Sequence, residues 1–106
     1  MHQFVYRIQP TRLAILTEGP TPEETTIIGE HFNYLAKLAE EGVVLMAGRT
    51  LNADETTFRI TILVAPSEAE ARVIMNEDPA IKCGMMKCEL FPFRVAVWSA
   101  KGPGGN

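Results

Sequence analysis

The sequence predicts an α+β domain, a four-stranded antiparallel sheet with two helices on one face. Three observations predict it. Stretches at Phe4–Gln9, Val43–Leu51, Thr57–Ala65 and Met85–Trp98 are dense or alternating in apolar residues, as strands are. Two stretches between them, one opened by Thr21-Pro22 and one by Pro66-Ser67, space their apolar residues as helices do. The order is strand, helix, strand, strand, helix, strand, the split β-α-β arrangement termed ferredoxin-like. With 106 residues, 46% of them hydrophobic, there is material for one real core.

In the first strand Phe4, Tyr6 and Ile8 face one way and Val5, Arg7 and Gln9 the other, and Pro10 stops it. Thr11 to Pro20 is ambiguous, since Leu13, Ile15 and Leu16 are too apolar for a plain solvated loop. The first helix spans Pro22 to Glu41. Thr21 is its N-cap, Pro22 its first residue and Glu24 the partner in a capping box, and Gly42 ends it. Strands two and three flank the polar turn Asn52-Ala53-Asp54-Glu55 and form a hairpin. The second helix takes Ser67 as N-cap, with Glu70 as its box partner, and buries Ala71, Ile74 and Met75. Asn76-Glu77-Asp78-Pro79 breaks it, and the fourth strand follows. One domain over residues 1–98 is expected, with a flexible tail over 99–106.

The strands alternate poorly. The second sets Val43, Leu45 and Ala47 against Val44 and Met46, and the third sets Phe58, Ile60, Ile62 and Val64 against Thr61, Leu63 and Ala65. The fourth sets Phe91, Phe93, Val95 and Val97 against Cys88, Leu90, Ala96 and Trp98. Two helices cover one sheet face, and an apolar second face left in water is an association site. A homodimer through the sheet face is therefore expected.

The bulk properties exclude several classes. The formal charge is −3, from 10 basic and 13 acidic side chains spread along the chain, and no basic run invites nucleic acid. No apolar run approaches membrane-spanning length. The start, Met1-His2-Gln3-Phe4, has neither the basic nor the apolar segment of a signal peptide, so a cytoplasmic protein is expected. Cys83 and Cys88 are too far apart for a C-x-x-C redox pair and read as small buried hydrophobes. With two histidines they make a poor metal set, so no metal is expected. Nucleophile elbows, P-loops and dinucleotide fingerprints are all missing.

A few polar residues stand out of place. The inward stripe of the first helix runs Ile28, His31, Phe32, Leu35, Leu38, Ala39. Burying an imidazole is unfavourable without partners, so His31 either has a dedicated partner or lines a pocket. Asp78 before Pro79 caps a short turn, or pairs with His31 to fix its tautomer for general acid–base work. Arg49 follows Gly48 and either clamps an oxyanion or pairs on the surface with Asp54 or Glu55. Tyr34 either lines the same pocket or packs at the core edge with its hydroxyl in water.

Four segments then carry a resemblance: His31-Phe32-Asn33-Tyr34-Leu35, Glu41 through Arg49, Asn76-Glu77-Asp78-Pro79, and Glu89-Leu90-Phe91-Pro92-Phe93. In this order and spacing the chain resembles the YCII-related family from Phe4 to about Val97. The resemblance implies a dimeric α/β-barrel version of the ferredoxin-like fold, with an active site built on a His and an Asp, here His31 and Asp78. One branch of that family resembles a dehydrochlorinase acting on a chlorinated hydroxyquinol, and the wider superfamily includes muconolactone isomerase and cofactor-free monooxygenases. The expected function is a small cofactor-independent enzyme performing isomerase- or lyase-type proton transfer on a small oxygenated compound, aromatic ones included. His31 and Asp78 are its catalytic pair, and Arg49 and Tyr34 are substrate contacts. The alternatives are a non-catalytic dimeric small-ligand binder or scaffold, and a purely structural His–Asp pair closed inside a core without a cavity.

Overall fold

The computed structural model describes residues 1–104. Its elements are β1 (His2–Pro10), α1 (Ile15–Glu18), α2 (Pro22–Glu40), β2 (Val44–Arg49), β3 (Arg59–Ala65), α3 (Glu68–Glu77), α4 (Pro79–Lys82) and β4 (Met86–Phe93). The strands form one antiparallel sheet in the order β2-β3-β1-β4. This is the expected ferredoxin-like α+β fold, and within a single chain the sheet stays open. The tail expected to be flexible ends in Gly105 and Asn106, which lie outside the described residues.

The start signals act as their chemistry requires. The Thr21 hydroxyl accepts from the Glu24 N–H at 3.1 Å, and the Glu24 carboxylate accepts from the Thr21 N–H at 2.8 Å, a complete capping box. Ser67 accepts from the Glu70 N–H at 3.2 Å without the reciprocal bond. Gly42, at φ +79°, reverses the chain into β2 in a conformation that favours glycine. The ambiguous segment after β1 folds into α1. It is pinned by Arg12, whose Nε donates to Glu24 Oε2 at 3.0 Å and whose Nη2 donates to the Gly19 carbonyl at 3.2 Å. That ion pair, with the Thr21 N–H, holds the Glu24 carboxyl down to about 2.

Register sorts the sheet into two faces. Phe4, Tyr6 and Ile8 pair with Leu63, Thr61 and Arg59 on one side and with Pro92, Leu90 and Cys88 on the other, and all of these face the helices. Leu35 from α2, Ala71 and Met75 from α3 and Ala80 from α4 close on them to form the core. Val5, Ile60, Ile62, Val64, Phe91 and Phe93 share the opposite face, which no helix covers. There Phe91 and Phe93 remain 45% and 42% exposed.

Three expectations need correction. A register shift between Val44 and Met46 breaks the alternation of β2. Val44, Ala47 and Arg49 therefore face the helices, while Met46 and Gly48 pair with Ile62 and Ile60 on the open side. The fourth strand ends at Phe93, not Trp98, because its partner β1 has run out: Phe93 pairs with Gln3, and the next link is the Gln3 side chain accepting from the Val95 N–H at 2.6 Å. The cysteines are free thiols. Cys83 is exposed at the end of α4 and Cys88 is partly buried on β4, so only Cys88 resembles the expected buried hydrophobe.

Leu63 is fully buried at the sheet centre. Leu63→Ala is expected to lower stability by about 2–5 kcal/mol in chemical denaturation. A loss under about 1 kcal/mol would contradict this placement of the core.

Candidate active site

His31 lies midway along α2, and Asp78 lies 47 residues later at the junction of α3 and α4. Pro79 disfavours helical backbone at the residue before it, and Asp78 takes φ −60° and ψ 124°, which ends α3. Its side chain then caps α4, with Oδ1 accepting from the Ala80 N–H at 3.0 Å. The same carboxylate meets the imidazole: His31 Nδ1 is 2.7 Å from Oδ1 and 2.9 Å from Oδ2. A third donor comes from the sheet, the Tyr6 hydroxyl at 2.8 Å from Oδ2. Asp78 is 0% exposed and His31 5%. Capping and pairing, the two readings of Asp78 in the sequence, are both present.

The tautomer follows from these contacts. A carboxylate only accepts, so Nδ1 carries a proton and donates it. In the neutral ring Nε2 then presents a lone pair. Among the described residues Nε2 has no partner, yet no fully buried side-chain nitrogen or oxygen there lacks one. Nε2 is therefore reached from outside, and the space it meets is a cleft of about 860 Å³ lined by His31. The cleft lies between α2, the helix side of β1, β2 and β3, and the loop from Leu51 to Phe58. Ile15, Ile28, Phe32, Leu35, Leu51 and Phe58 give it apolar walls. A closed core without a hollow is not what surrounds this pair.

The other candidates separate. Arg49 lines the cleft, is exposed, and makes no ion pair among the described residues, including with Asp54 or Glu55. Asp54 instead accepts from Asn52 and from the Thr56 N–H, which folds the loop. Tyr34 is turned away from the cleft. Its hydroxyl donates to the Ile74 carbonyl at 2.8 Å, and it sits on the flank of α2 that meets α3. Phe32 and Ala39 also leave the core. Phe32 is 69% exposed, and both line the cleft, because a stripe that wide wraps past the sheet edge.

Two residues escaped the sequence reading. Tyr6 stood out only as one of the residues on one face of the first strand, and its hydroxyl donates to the buried carboxylate. Arg59 shares the helix-facing parity of Thr61 and Leu63 and lines the cleft. A charge at an inward strand position is the same signal that marked His31.

Burial, and then the charge of Asp78, push the Tyr6 phenol far above its ordinary value of 10.0. Tyr34 is pushed up to about 12 by partial burial and the charges of Asp78 and Glu77. For a phenol raised in the fold, the stabilising contribution is complete below pH 10.0 and is lost as pH rises above it, because the unfolded chain ionises first. Thermal unfolding followed from about pH 8 to pH 11 is expected to show falling stability in the native chain and a shallower fall in Tyr6→Phe, with Tyr34 supplying the remainder. Equal slopes in the two would contradict the Tyr6–Asp78 contact.

The comparisons with known proteins agree with this fold. No curated protein matches the chain. Among solved structures, 5-chloro-2-hydroxyhydroquinone dehydrochlorinase from Burkholderia phenoliruptrix, in complex with 2,5-dihydroxybenzoquinone, is similar, with a TM-score of 0.61. It is 18% identical, and the match covers 86% of this chain and 93% of that one. The family model of the YCII-related domain matches residues 5–94, from the first strand to just past the last, and the chain belongs to the YCII-related family.

Proposed function

We propose that this protein is a cofactor-independent enzyme that moves a proton on a small oxygenated compound, aromatic ones included. One observation carries the reading: His31 has Nδ1 held by a fully buried carboxylate while Nε2 opens on an apolar cleft. Nε2 takes a proton from an acidic C–H or O–H of the substrate. Asp78 stabilises the resulting imidazolium and holds the ring in its tautomer. The imidazolium returns the proton to another atom in an isomerisation. In an elimination, the leaving group departs as an anion with its electron pair. Family membership supports the reading, and the dehydrochlorinase with the similar fold supplies a first substrate to try.

Incubation with 5-chloro-2-hydroxyhydroquinone, read by chloride release, and with related hydroxyquinones and unsaturated lactones, read by solvent deuterium uptake, tests it. His31→Ala is expected to abolish turnover, and Asp78→Asn to lower it by about 10–100-fold. Unchanged turnover in both variants would sink the proposal, and a bound ligand with no turnover would favour a binding module.

The open sheet face is read as the surface of a homodimer. Phe91 and Phe93 lie there, about half exposed, with no helix of the described residues over them. Light scattering is expected to give twice the chain mass, and Phe91→Glu to give the chain mass alone with the fold retained. A native monomer at micromolar concentration would refute this.

A further inference from the structure

The cleft carries a charge pattern that the His–Asp pair does not explain. Arg49 and Arg59 stand directly opposite each other in the β2–β3 register, both on the helix side and both lining the cleft. Like charges directly opposite on a sheet destabilise it. Neither guanidinium makes an ion pair or side-chain hydrogen bond among the described residues, and no Asp or Glu lines the cleft. This occurs in a chain with more acidic than basic side chains. Arg59 is also partly buried. Its burial, and then the charge of Arg49, push its guanidinium below the ordinary value, while Asp78 pulls the other way. Of the four other arginines three are paired, Arg7 with Glu89, Arg12 with Glu24 and Arg72 with Glu68, and Arg94, which makes no ion pair among the described residues, lies outside the cleft.

Two adjacent cations left without a counter-charge, one of them partly buried, make a site complementary to an anion. Guanidinium matches a planar anion with two oxygens better than any other side chain does. The apolar walls on the same cleft, Phe32, Phe58, Ile28 and Leu51 among them, suit a ring. We infer that the cleft binds a ring compound bearing a planar oxyanion, a carboxylate or an ionised ring hydroxyl, with Arg49 and Arg59 holding the charge and His31 Nε2 facing the rest of the molecule. This rests on the reading of the cleft as the substrate site and names the substrate class. Arg59 becomes a specificity-determining residue. Delocalised negative charge formed when a proton leaves the substrate is also stabilised there.

Isothermal titration of the full chain with benzoate and para-nitrophenolate, against the neutral isosteres benzamide and para-nitroaniline, tests the inference. At least one anion is expected to bind more tightly than its isostere and to weaken with added salt, and the tighter of the two names the oxygen type. Arg59→Gln and Arg49→Gln are each expected to weaken that anion about tenfold while leaving the isostere unchanged. Both variants are expected to unfold no earlier than the native chain without ligand, because each relieves a like-charge pair. His31→Ala is expected to keep the preference for the anion, so a failed catalytic reading leaves this inference standing, and the reverse. Binding of neither anion, equal binding of anion and isostere, or undiminished anion binding in the arginine variants would overturn it. A lower unfolding temperature in the variants with parallel loss of both ligand types would also overturn it, marking the arginines as structural.

Discussion

A carboxylate with no exposure to water is the constraint on which the rest of this structure depends. Burying an unsatisfied charge is so unfavourable that Asp78 requires donors from the fold itself. It finds three, each from a different place. Tyr6 comes from the central strand β1, His31 from α2, and the Ala80 N–H from α4. The carboxylate thereby fixes the seat of α2 on the sheet and the break between α3 and α4. The strands and helices could pack without it, but not in an arrangement that sets one imidazole nitrogen against a carboxylate and the other against a cleft. Stability and the proposed chemistry draw on the same contact. A change at Asp78 therefore disturbs a helix cap, a phenol and an imidazole together.

Much of the fold was legible in the sequence because it rests on local rules. The Thr21-Pro22-Glu23-Glu24 start, the glycine stop at Gly42 and the alternation of Phe4, Tyr6 and Ile8 are each decided by neighbours along the chain. What escaped was decided by distant partners. The length of β4 was set by where β1 begins, which the apolar run from Val95 to Trp98 cannot reveal. The bulge at Met46 reversed the facing of half of β2, and a two-residue period has no signal for an inserted residue. The segment after Pro10 was readable only as too apolar for a loop, since its helix is held by an ion pair to Glu24.

The candidate site was legible to a similar degree and for a related reason. A polar residue in an apolar stripe breaks a local pattern, so His31 announced itself, and Asp78 stood out through its proline. Tyr6 did not, because a tyrosine on a buried face obeys the pattern and only the partner of its hydroxyl gives it a role. Arg59 broke the pattern at an inward position near the start of β3, where polar residues are ordinary. Tyr34 was grouped with His31 by helical spacing alone. His31 stands at one edge of the arc of α2 that lines the cleft, and Tyr34 falls about 60° beyond that edge, where it meets α3 and the Ile74 carbonyl.

The asymmetry of one imidazole is the centre of this account, and histidine nitrogen NMR reads it directly. Long-range proton–nitrogen correlation spectra of the native chain, recorded at a pH where the His31 ring is neutral, are expected to show Nδ1 protonated and Nε2 with a lone pair. They are also expected to show that order lost in Asp78→Ala. A protonated Nε2 with an unprotonated Nδ1 would mean that Asp78 does not hold the ring, and the account would be wrong.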